Sequence, residues 1–362
     1  MMQIVRPTLL VNEEKSRENI RKMVLRAKEA GVSFRPHMKT HQSNEIGEWF
    51  RDEGVDRIAV SSVDMAQYFA KGGWKDITIA FPYNLLEYQT INDLAAEVQL
   101  NVLIESKEAL DHLNKHVSSP VGYFIKVDIG THRTGIDPND TKVIHSILSS
   151  SNSRHTLIGL LGHAGHSYQT DMNGKKAKKI LNEAVSCFDR VKAETGRTDL
   201  VISYGDTPTC SLLDHFPGVN EIRPGNFVFY DLMQYAFRSC QISDISVCMA
   251  CPVVALHPER GEVVIYGGAV HLSKDFIEVN GKRNYGLIVK MNDSGWETSG
   301  DAYLTRLSQE HGIVSASTDL IDSLNVGDVV GVLPIHSCLT ADNMGHYYTL
   351  SGQHIKMRSK LE

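Results

Sequence analysis

Eight short apolar runs, each followed by a helix-compatible stretch, fill the first part of this 362-residue chain and constrain its fold more than any other feature. They lie around residues 34–39, 57–61, 77–80, 100–104, 122–129, 157–163, 200–204 and 221–223, with helical runs such as 84–97, 107–116 and 172–194 between them. Strands that are apolar on both faces and separated by helices are parallel and covered on both sides. The count of eight predicts a (β/α)8 TIM-type barrel, although an open doubly wound sheet gives a similar alternation. Asn12 is placed to cap a first helix whose apolar stripe is Ile20, Met23, Val24 and Ala27 and which ends at Gly31. After about Asp231 the pattern changes to β segments without long helices, around residues 246–256, 261–266, 276–279, 285–290 and 328–334. Asn280-Gly281 is a type I′ hairpin signal. The expected organisation is a barrel over 1-235 followed by a C-terminal all-β domain over 236-362.

Composition limits the partners. Hydrophobic content of 42% and charged content of 22% suit a soluble globular protein. The net charge of −6, with no basic block, argues against nucleic acid or an anionic membrane. No run reaches the ~18 apolar residues of a membrane span, and no charged segment leads into a long apolar one near the N-terminus. The six cysteines have no spacing typical of small secreted domains, so a reduced, cytoplasmic protein is expected. Cys248-x-x-Cys251 has redox or zinc spacing, but no second pair accompanies it and Pro252 follows; buried thiols are the expectation.

Three stretches carry candidate chemistry. In FRPHMKTH (34–41), an extended backbone would project His37, Lys39 and His41 from one face. The stretch falls at the end of the first barrel strand, and barrel enzymes build their sites from strand C-termini. Gly205-Asp206-Thr207 and Arg223-Pro224-Gly225-Asn226 follow the seventh and eighth strands, where barrels commonly hold phosphate; ordinary turns use the same residue types. His336-Ser337-Cys338 would bring an imidazole and a thiolate together if extended, a weak signal by itself.

Together, PHMKTH (36–41), KVDIGTHRTGI (126–136), GHAGHSY (162–168), SYGDTPT (203–209), EIRPGNFVFYD (221–231), EHG (310–312) and HSC (336–338) resemble the fold-type III, alanine-racemase-like pyridoxal phosphate enzymes. More closely they are similar to the D-threonine aldolase and D-serine dehydratase branch. The resemblance implies that Lys39 binds the cofactor aldehyde as a Schiff base and that Thr207, Gly225 and Asn226 meet the phosphate. It sets Arg223 against the pyridine nitrogen, Arg133 near the cofactor phenolate or a substrate carboxylate, His163 beneath the ring, and Tyr168 against cofactor or substrate. It makes His336 and Cys338 ligands of a divalent metal, and a thiolate beside an imidazole favours Zn²⁺.

The implied activity is metal-assisted dehydration of a β-hydroxy D-amino acid, of the D-serine or 3-hydroxy-D-aspartate type, to a keto acid and ammonia. His41 is assigned a proton-relay or water-positioning role, as an inference separate from the resemblance. A D-threonine-type aldolase uses the same groups; a racemase needs a second base but no metal, and a non-catalytic cofactor-binding protein of this fold is a bare barrel without the long β domain and H-x-C pair. A homodimer is implied. The residues after Cys338, LTADNMGHYY, match neither side of the branch closely.

Overall fold

The computed structural model describes residues 3–359, which divide into two units: Arg21–Gly225, and residues up to Ile20 together with those from Asn226 onward. Strand β1 (Thr8–Val11) belongs to the second unit. The first unit holds β2 (Ser33–Phe34), β3 (Arg57–Val60), β4 (Asp76–Pro82), β5 (Gln99–Ile104), β6 (Gly122–Lys126), β7 (Thr156–His163), β8 (Val201–Gly205) and β9 (Glu221–Ile222). All neighbours are parallel in the order β2-β9-β8-β7-β6-β5-β4-β3. An isolated bridge between His37 and Ala59 joins the two ends, with Met38 N–H donating to the Ala59 carbonyl at 2.9 Å. The eight-strand barrel is therefore present, not an open sheet.

Serine and asparagine set the start of the intervening helices. Ser43, Ser62, Ser106 and Asn173 each accept a backbone N–H from the first turn that follows, a contribution of about 1 kcal/mol per helix. Asn12 caps Glu13–Glu29 through Lys15 N–H at 3.1 Å. Inside the barrel, Leu103, Phe124 and Leu161 form an apolar cluster. Beside it runs a buried polar chain. Arg35 pairs with Asp76 at 2.6 Å and with Glu221 at 2.8 Å; Ser203 donates to Glu221 at 2.6 Å, and Arg223 Nε donates to Ser203 Oγ at 2.7 Å. Buried charges survive only when paired and hydrogen-bonded, so this chain fixes where Arg223 points.

The second unit contains β10 (Val247–His257), β11 (Glu262–Tyr266), β12 (Ile277–Val279), β13 (Lys282–Asn284), β14 (Gly286–Asn292), β15 (Gly295–Leu307), β16 (His311–Ser315), β17 (Val329–Pro334), β18 (His346–Thr349) and β19 (His354–Lys356). The order is β11-β16-β15-β14-β17-β10-β1-β18-β19, and β11 also pairs with β10, so six strands close on themselves. The expected hairpin is present: β12 and β13 meet at Asn280 and Gly281, with φ of 53° and 72°. β1 pairs antiparallel with β10 and parallel with β18, so this first strand of the expected 1-235 span is hydrogen-bonded into the second sheet. Cys248 and Cys251 are buried in β10 and form no disulfide. Among the described residues no helix is long and apolar enough to cross a membrane.

Candidate active site

The barrel mouth gathers most of the expected cofactor residues. FRPHMKTH is not extended throughout. Strand β2 stops at Phe34, and residues 38–41 form a turn. Lys39 therefore sits exposed on the turn, with its N–H donating to His37 Nδ1 at 3.3 Å. His41 points elsewhere: it is fully buried, stacked on Phe50 at 5.5 Å with Nε2 3.1 Å from Met38 Sδ, and burial takes its imidazole down to about 3. The structure does not bring His41 to the other candidates.

The loop after β6 is held by Asp128, whose carboxylate accepts the N–H groups of Gly130, Thr131 and His132 at 3.0, 3.1 and 3.0 Å. Thr131 Oγ1 donates to the His163 carbonyl at 2.6 Å and accepts from Gly165 N–H at 2.7 Å, so the loops carrying Arg133 and His163 are tied together. Gly135 has φ of 109°, and a Cβ there would lie 2.4 Å from Asp128 N; only glycine suits that return. His163 Nδ1 donates to the Gly205 carbonyl at 2.7 Å, leaving Nε2 as an acceptor. Tyr168 Oη accepts Thr207 N–H at 3.4 Å, and Thr207 Oγ1 accepts Gly225 N–H at 3.4 Å.

Electrostatics show which groups converge. Burial, then the charges of Lys39 and Arg223, His163 and Arg133, holds the His37 imidazole well below its ordinary value. Burial and Arg133 take His163 down to about 3, with Arg223 and Lys39 adding to the effect. Arg223, also bonded to the Gly162 carbonyl at 2.6 Å, is brought by burial to about 10 and stays charged at neutral pH. Lys126 was not singled out from the sequence. It is buried at the end of β6, its Nζ 3.2 Å from the Val127 carbonyl, and burial and Arg223 lower it to about 8. A lysine closing an apolar strand run was the available signal. The mouth is thus a cationic cup around two neutral imidazoles, which suits a phosphate-bearing aldehyde.

His336 and Cys338 form the second cluster. They are not extended through Ser337: His336 is the residue before the helix Ser337–Met344, and Cys338 lies in its first turn. Their side chains still interact. Burial opposes charge on His336, but Cys338, Asp231 and Asp275 outweigh it and push the imidazole up to about 10. Asn226, expected at the phosphate, aims its amide here, donating to Asp231 at 2.7 Å, to Ser337 Oγ at 3.0 Å and to Cys338 Sγ at 3.5 Å. Among the described residues no three His, Cys, Asp or Glu side chains form a ready metal site. The pair supplies two donors in an anionic setting, which fits a divalent cation with open positions.

Comparison with known proteins agrees with this architecture. Residues 11–232 match the alanine racemase N-terminal domain, and residues 246–350 match the putative serine dehydratase domain. The D-serine dehydratase of Dictyostelium discoideum is 31% identical, covering 95% of this chain and 93% of its own. The D-threo-3-hydroxyaspartate dehydratase of Delftia sp. is 26% identical over 95% of this chain and 94% of its own. A cysteine-to-alanine mutant of D-threo-3-hydroxyaspartate dehydratase, solved in a metal-free form, has the same fold, with a TM-score of 0.88 at 22% identity over 98% of this chain and 97% of its own. The chain belongs to the D-serine dehydratase family, in which an alanine racemase N-terminal domain is joined to a serine dehydratase domain.

Proposed function

We propose that the protein is a pyridoxal-phosphate-dependent lyase that dehydrates β-hydroxy D-amino acids of the D-serine or 3-hydroxy-D-aspartate type. The observation that carries the reading is the serine dehydratase match over residues 246–350, the stretch that contains His336 and Cys338. When bound, pyridoxal phosphate supplies the electron sink for an acidic Cα–H, and a divalent ion, Zn²⁺ by ligand type, supplies Lewis acidity at the β-oxygen.

The chain's own groups divide the remaining work. Lys39 would hold the cofactor aldehyde through its amine and, once released, would serve as the base at Cα. Thr207 and Gly225 would offer a hydroxyl and a backbone N–H to the phosphate, whereas the Asn226 amide is committed to Asp231, Ser337 and Cys338. Arg223, held by Ser203 and the Gly162 carbonyl, keeps a pyridine nitrogen facing it unprotonated; elimination tolerates the weaker sink. Neutral His163 would pack beneath the ring, Tyr168 would border it, and Arg133 would take the phenolate or the substrate carboxylate. His336 and Cys338 hold the metal. His41, packed in the core, has no part in this scheme. We further propose a homodimer, testable by light scattering, and a cytoplasmic location, which suits six cysteines without a disulfide.

Incubation with D-serine, D-threonine and D-threo-3-hydroxyaspartate, followed by product analysis, tests the reaction. Keto acid and ammonia are expected. Glycine with an aldehyde would make the enzyme an aldolase, and no product from any of the three would reject the lyase.

A further inference from the structure

The segment that carries His336 is approached by two carboxylates, and they do different things. Asp231 contacts the backbone and the neighbours. Its Oδ2 accepts Ser337 N–H at 2.9 Å, Ser337 Oγ–H at 3.1 Å and Asn226 Nδ2–H at 2.7 Å, while Oδ1 accepts Gln234 N–H at 2.8 Å. It is fully buried and clamps the start of the helix. Asp275 reaches the imidazole itself, with Oδ2 2.7 Å from His336 Nδ1. It lies 61 residues upstream, between the helix Ala269–Leu272 and β12, and is only partly covered.

The Asp275 loop is anchored independently of His336. Asp275 N–H donates to Ser273 Oγ at 3.2 Å, Thr340 Oγ1 donates to the Leu272 carbonyl at 3.2 Å, and Arg283 lies over the Phe276 ring at 4.5 Å. The carboxylate is therefore presented by a preformed loop. A coordinating imidazole gives up one of its two protons to solvent as the ion binds; the nitrogen that keeps its N–H donates and the other coordinates. Ligating histidines commonly give their second N–H to a carboxylate, which fixes the ring and raises its basicity.

We infer that Asp275 is a positioning residue for the metal pair: it takes the Nδ1–H of His336, commits Nε2 to the ion, and fixes the plane of the ring beside Cys338. The inference rests on the reading of His336 and Cys338 as metal ligands. Asp231 orients the polypeptide; Asp275 orients the donor atom.

Zinc affinity tests this apart from turnover. Chelator-treated holoenzyme, with cofactor retained, is titrated with Zn²⁺ against a chromophoric chelator, alongside Asp275→Ala, Asp275→Asn and His336→Ala. Asp275→Ala should weaken zinc binding by about 10- to 100-fold, with unchanged Tm and cofactor absorbance. Asp275→Asn keeps an acceptor for Nδ1–H without the charge and should recover part of the loss. Wild-type zinc affinity in a folded Asp275→Ala overturns the inference while leaving the metal pair standing. Failure of the wild type itself to bind zinc, or wild-type affinity in His336→Ala, overturns the metal reading and the inference with it.

Discussion

Two histidines in this molecule are tuned in opposite directions. His163, in the barrel mouth, is taken down to about 3 by burial and Arg133, whereas His336, in the β unit, is pushed up to about 10 because Cys338, Asp231 and Asp275 outweigh burial. The same imidazole is kept neutral in one place and favours a positive charge in the other. The barrel cluster gathers the basic groups Lys39, Lys126, Arg133 and Arg223, whereas His336 faces Cys338, Asp231 and Asp275. Neighbours, not residue type, set the charge each imidazole prefers.

The largest effect expected from breaking the first site is at Lys39. If Lys39 holds the cofactor and serves as the base, as proposed, Lys39→Ala should lower kcat by at least about 10³-fold, and borohydride reduction followed by peptide mapping should put the pyridoxyl group on Lys39 in the wild type. Labelling of another lysine would remove the assignment. At the second site, on the proposed reading of His336 and Cys338 as metal ligands, Cys338→Ala should take turnover close to background, with the cofactor absorbance unchanged.

A smaller effect follows from the polar chain behind Arg223. Arg35→Ala leaves Glu221 buried without its cation, a loss of about 3–5 kcal/mol, readable as a lower denaturant midpoint. Unchanged stability would show that the chain is not what holds the barrel floor. The most gradual effect, and the smallest per pH unit, is on pH. His41 and His163 have folded values of about 3, below the unfolded value, so their contribution is present above about pH 6.5 and is lost as pH falls toward 3. Each adds a slope of up to about 1.4 kcal/mol per pH unit in that window. Flat stability from pH 6.5 to 4.5 would contradict their burial as neutral rings.

The comparison also separates what the sequence could reveal from what it could not. The barrel was legible because parallel strands covered on both faces leave apolar runs, such as Leu100–Ile104 within β5. β15 was not, because GWETSGDAYLTRL is polar and glycine-bearing although it pairs with both β14 and β16. The partner of β1 lies more than 200 residues away, in β10, beyond any local pattern. Lys39 and the His336–Cys338 pair stood out by motif, but the extended geometry expected for both is replaced by a turn and by a helix start. That change of backbone is why His41 faces Phe50 while Lys39 stays exposed. Asp275 is a lone aspartate far upstream of His336, and only the folded loop brings it to the ring.

The division of labour between an anion-binding cup and a cation-binding pair is tested most directly by chelating the holoenzyme in deuterated water with D-serine. Cofactor absorbance should survive, keto acid formation should stop, Cα–H exchange with solvent should continue, and added Zn²⁺ should restore product. Undiminished turnover of fully metal-depleted enzyme, or loss of Cα exchange together with product, would contradict it.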